Sequence, residues 1–166
     1  MARRNSAAPV ALGGVLAALA LVIQCMGGLI PVATFVCPML CILLLAVVTK
    51  QCGSRMAWAW YGAVAILGAL LGPDKEAAAV FVFLGYYPIV KLKLDALPLR
   101  WLWKALLFNS AIAVMYTVLL HLFGMAELAA EFQEMGVIMG AITLLLGNLT
   151  FFLLDYVLSK RFGKRS

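Results

Sequence analysis

The chain has 166 residues, of which 66% are hydrophobic and 12% charged, with a formal net charge of +6. A soluble domain carries about half apolar and about a quarter charged residues, so this excess excludes a soluble fold and identifies an integral membrane protein. No polar stretch is long enough to hold a soluble catalytic domain, and no basic stripe interleaved with aromatics points to nucleic acid.

The first predicted span covers 8–28 and follows Arg3 and Arg4. Five more apolar runs and the lack of a small-residue cleavage site make it a span rather than a signal peptide. Gly13/Ala17 and Gly14/Ala18 are small-xxx-small pairs, which let two helix backbones approach closely. Such pairs serve packing inside the chain or contact with a separate membrane subunit, and the sequence leaves both open. The second span, 34–49, holds Pro38; the third, 56–71, opens with Trp58 and Trp60 at a membrane interface.

Gly72-Pro73 stops the third span, and Asp74 is placed to cap the next helix. The fourth span, 76–90, is short and aromatic, with Gly85 and Pro88 positioned to bend or end it. After a basic loop, Trp101 and Trp103 anchor the fifth span, 101–123. Glu127, Glu131 and Glu134 line one face of 125–135, which reads as a short amphipathic helix on the outer membrane surface. The sixth span covers 136–158. The predicted fold is therefore all-α, a single six-span transmembrane domain.

With six spans and an inner N-terminus, 12 of the 13 basic residues fall inside, leaving only Lys75 outside. This obeys the positive-inside rule and places both termini in the cytoplasm, with the chain multi-pass in the plasma membrane. Lys75 stands out a second way, because an ammonium beside a helix N-terminus opposes the dipole that Asp74 and Glu76 complement.

Polar groups within the hydrocarbon need partners or a purpose. Gln24, Asn109, Tyr116, His121 and Asn148, with Asp74, Lys75 and Glu76 at the outer mouth, are candidates to line an outward cavity for a small molecule. The competing reading gives each asparagine an interhelical hydrogen bond, His121 an interfacial one, and Lys75 an ion pair with Glu127 or Glu131. Asp155 lies close enough to the inner surface to pair with a Lys or Arg. The four cysteines have neither His nor carboxylate neighbours, so no metal site is expected. No phosphate-binding loop or membrane-protease pattern occurs, which argues against an enzyme and implies no cofactor.

The chain length, six spans, inner termini and the run Ala11-Leu12-Gly13-Gly14-Val15-Leu16-Ala17-Ala18-Leu19 resemble the substrate-binding S components of energy-coupling factor transporters. The stretches Pro73-Asp74-Lys75-Glu76 and Gly85-Tyr86-Tyr87-Pro88 also resemble a group of small bacterial membrane proteins. The first resemblance implies capture of a vitamin-like or other micronutrient on the outer side. It further implies a transmembrane T component on Gly13, Gly14, Ala17 and Ala18, and two cytoplasmic ATPases. The alternative from another class is a non-transport membrane scaffold or assembly subunit.

Overall fold

A computed structural model describes residues 7–27, 33–121 and 126–162, with only the backbone described for 7, 33, 34, 92, 126–133, 135, 137 and 139. The described residues form helices without strands: α1 (Ala7–Met26), α2 (Ala33–Cys52), α3 (Ser54–Leu71), α4 (Lys75–Leu84), α5 (Tyr87–Asp95), α6 (Arg100–His121) and α7 (Ala126–Phe162). Helices satisfy their interior backbone groups within their own segment, which is what a chain of this composition needs in lipid. Five helical stretches among the described residues are long and apolar enough to cross a membrane: Ala8–Met26, Phe35–Cys52, Ser54–Leu71, Arg100–His121 and Gly140–Phe162. The chain divides into two compact units between Lys93 and Leu94.

In the first unit, α2 packs against α1, α3 and α4. A helix contacted on so many sides is apolar all round, and Cys37, Cys41, Ile42, Leu45, Ala46 and Val48 of α2 are buried. Pro38 is also fully buried, six residues into the helix, where its missing N–H removes one bond near the start. α3 ends at Gly72, whose N–H reaches the Gly68 carbonyl at 2.8 Å. The Asp74 carboxylate then accepts from the Ala77 N–H at 2.9 Å, the cap that the sequence led us to expect.

The region read as the fourth span is two short helices, parted at Gly85-Tyr86. Pro88 has no N–H to offer the Leu84 carbonyl one turn back, so the ladder breaks there. Gly85 is needed at the break, since a Cβ would come within 3.0 Å of both the Phe81 and Tyr61 rings. With 10 residues, α4 alone is about 15 Å long, against about 30 Å of hydrocarbon.

In the second unit α6 and α7 pack on each other. Their partners run in opposite order: Lys104 meets Asp155, Phe108 stacks on Phe151 at 4.9 Å, and Asn109 meets Asn148. The two helices are therefore antiparallel. α7 is interrupted at Gly136, whose φ of 66° and ψ of 169° lie outside the helical region and suit glycine. That break falls where the sequence puts the start of the last span. Glu127 and Glu131, proposed partners of Lys75, lie outside the described side chains.

Candidate functional site

The eight candidate residues divide between the units. Gln24, Asp74, Lys75 and Glu76 belong to the first; Asn109, Tyr116, His121 and Asn148 belong to the second.

In the second unit, the two asparagines satisfy one another. Asn109 donates to Asn148 Oδ1 at 3.0 Å, and Asn148 donates to Asn109 Oδ1 at 3.1 Å. Each also gives a hydrogen bond to the carbonyl four residues earlier in its own helix, Ala105 and Leu144 respectively. His121 is exposed, with Nδ1 3.2 Å from the Thr117 carbonyl of its own helix. Tyr116 is half-buried. Further along the same interface the buried Lys104 ammonium is 2.8 Å from Asp155 and also pairs with Asp95 at the end of α5. Asp155 thus has a basic partner, as read from its position. Sequence reasoning counted Lys104 as a topology residue and missed its burial, although its place beneath Trp101 and Trp103 inside the span was a signal.

In the first unit the ends of α1 and α3 meet the start of α4. Asp74 Oδ2 lies 3.8 Å, and Ala77 Cβ 3.5 Å, from where a Cβ on Gly27 would stand. Lys75 turns back from α4 and donates to the Ala69 and Gly72 carbonyls, both at 3.0 Å. These are carbonyls at the C-terminal end of α3, which has no intrahelical donors for them and carries the negative end of its dipole. The charge that opposes one helix start therefore complements the preceding helix end.

Gln24 is the exception. Its side chain is 3% exposed, and neither Oε1 nor Nε2 has a hydrogen-bond partner. The carboxamide rests against α3 at Gly68, where any Cβ would stand inside it. Gly68 is thus a glycine for reasons of space, a role invisible in the sequence. The nearby Cys41 sulfur interacts weakly with the Gln24 side chain, but its S–H goes to the Ala20 carbonyl at 3.4 Å, and the amide gains no conventional hydrogen bond from it. A buried amide normally finds a partner, and leaving a donor or acceptor unmet costs about 1–3 kcal/mol.

The small-residue pairs of α1 separate by face. Gly13 is buried, and its carbonyl accepts from the Trp60 indole at 3.0 Å; Ala17 is half-buried. Gly14 and Ala18 are exposed; nothing lies within 4 Å of a Cβ built on either glycine, so burial and the Trp60 bond are what set Gly13 apart. One pair therefore packs inside the chain while the other remains available.

Fold and composition together define a multi-pass, all-helical membrane protein. Comparison with protein-family models, characterised proteins and solved structures finds no match. Among the described residues no group of three or more His, Cys, Asp or Glu is arranged to hold a metal ion.

Proposed function

We propose that this protein is a membrane-embedded capture subunit for uptake of a small molecule, energised by partner subunits in the manner of energy-coupling factor S components. The observation that carries this reading is the unpartnered Gln24 carboxamide, buried between α1 and α3 against Gly68. It offers one donor edge and one acceptor edge, so it suits a ligand that presents the complementary pair, such as an amide or lactam. The exposed Gly14 and Ala18 are consistent with a T-type partner seated on α1.

In this reading the fourth of six crossings is the short one over 76–90, with Tyr86 near its inner end. The segment before Gly136 lies on the outer surface of the plasma membrane, and both termini are cytoplasmic. Cysteine labelling from outside, in a background lacking the native thiols, is expected to reach position 75 and not position 93. Reversed accessibility would overturn the orientation and with it the outward site. Native purification followed by mass spectrometry of small molecules tests capture, and Gly14→Leu tests the partner. That variant is expected to fold, because its side chain enters open space, and to lose co-purifying membrane and ATPase subunits.

A scaffold or assembly role is the second reading, favoured by the closed Asn109–Asn148 pair, which leaves no free amide among the described side chains of α6 and α7. It expects no small molecule with the native protein.

A further inference from the structure

Three aromatic rings meet in the first unit near the end that bears Arg55. Trp58 and Tyr61 are three apart on α3, with centroids 5.9 Å apart and planes at 79°. Tyr86, at the break before α5, lies nearly parallel to Trp58 (13°, 6.5 Å) and steeply inclined to Tyr61 (72°, 6.2 Å). The Tyr61 hydroxyl is held by the Val82 carbonyl, which fixes that ring. The other two polar tips are available. Neither the Trp58 indole N–H nor the Tyr86 hydroxyl makes a hydrogen bond among the described residues, and Trp58 is 46% exposed.

Arg55, three residues before Trp58, is exposed and has no ion pair or hydrogen bond among the described residues. Away from it along the same side of α3 come Gly62, Ile66 and Leu70, each four apart. Nothing lies within 4 Å of a Cβ built on Gly62, and Ile66 and Leu70 are 63% and 71% exposed. From Arg55 to Leu70 the helix rises about 22 Å, close to the depth of one leaflet with its headgroups. The order along this stripe is guanidinium, two amphipathic donors, an open gap and an apolar ridge.

We infer that this stripe is a binding site for an anionic phospholipid. Its phosphate sits on the Arg55 guanidinium, whose planar fork of donors suits phosphate oxygens. The Trp58 N–H and Tyr86 O–H donate to phosphate or ester oxygens at headgroup level, where such rings reside. One acyl chain lies over Gly62 and along Ile66 and Leu70. Lys50 and Lys93, both exposed on the same unit, disfavour the ammonium of a zwitterionic headgroup. The site needs only a membrane location and stands apart from the capture reading.

Native mass spectrometry of the purified full chain, titrated with phosphatidylglycerol or phosphatidylcholine of matched acyl chains, provides the test. The phosphatidylglycerol complex is expected to be favoured, and Arg55→Ala to weaken it about tenfold, the value of a charge-assisted bond. Tyr86→Phe keeps the ring and removes one hydroxyl, so a loss of about threefold is expected even if Arg55→Ala does not fold. Lys160→Ala, on α7 of the other unit, is expected to leave affinity unchanged. Equal binding of phosphatidylcholine, or wild-type affinity in both Arg55→Ala and Tyr86→Phe, would overturn the site. Displacement of the lipid by free glycerol phosphate would assign it to a soluble anion instead.

Discussion

Two carboxamide environments divide this molecule. Between α6 and α7, Asn109 and Asn148 close a reciprocal pair and leave nothing for a ligand. Between α1 and α3, Gln24 is buried as deeply as a core residue and leaves both ends of its amide unmet. The same chemical group is thus structural in one unit and unspent in the other. Burial of a polar side chain does not announce a site; burial without a partner is the more telling observation.

The comparison sharpens first where charge is involved. Lys104 is the cation between Asp155 and Asp95. Lys104→Met removes the buried cation that bridges Asp155 and Asp95 and is expected to destabilise the second unit by about 3–5 kcal/mol, read from unfolding in mild detergent. A change under 1 kcal/mol would show that water reaches the cluster freely.

Asn148→Leu comes next. It orphans the Asn109 amide and is expected to cost about 1–3 kcal/mol, while the Asn109→Leu/Asn148→Leu double variant recovers most of that loss. Failure of the double variant to recover would mean that the pair does more than satisfy itself. Gln24→Leu, measured without ligand, is expected to be neutral or slightly stabilising, because it removes two unmet polar atoms. A loss as large as that of Asn148→Leu would make the two amides alike and sink the comparison.

Lys75→Ala gives the smallest loss. It removes a partly exposed bond to the end of α3, a dipole contribution of about 0.3–1 kcal/mol, and thermal unfolding is expected to shift little. A large loss of stability would show that the α3–α4 corner depends on it.

Much of this was legible from residue order alone. The helical class, the stop at Gly72-Pro73, the Asp74 cap and the break before Pro88 follow from backbone chemistry that acts within one turn. Asp155 found a basic partner for the same reason that any carboxylate near a membrane end must. What the sequence withheld depends on contacts between distant segments. Lys75 looked misplaced because its partners, Ala69 and Gly72, are backbone carbonyls with no side-chain signature. Gly68 looked like any helical glycine, and only the packing of α1 on α3 shows that the Gln24 amide fills its place. Gly13 and Gly14 are neighbours in sequence with opposite fates, because 100° of helix rotation turns one inward and the other out.

The central claim is that Gln24 is unpaired because a small molecule from outside completes it. The direct measurement is mass spectrometry of small molecules released from the native, full-length protein, comparing wild type, Gln24→Leu and the Asn109→Leu/Asn148→Leu variant at equal folded amounts. The account expects one compound near stoichiometric in wild type and in the asparagine variant, and absent from Gln24→Leu. No compound in wild type, or equal amounts in wild type and Gln24→Leu, would contradict it.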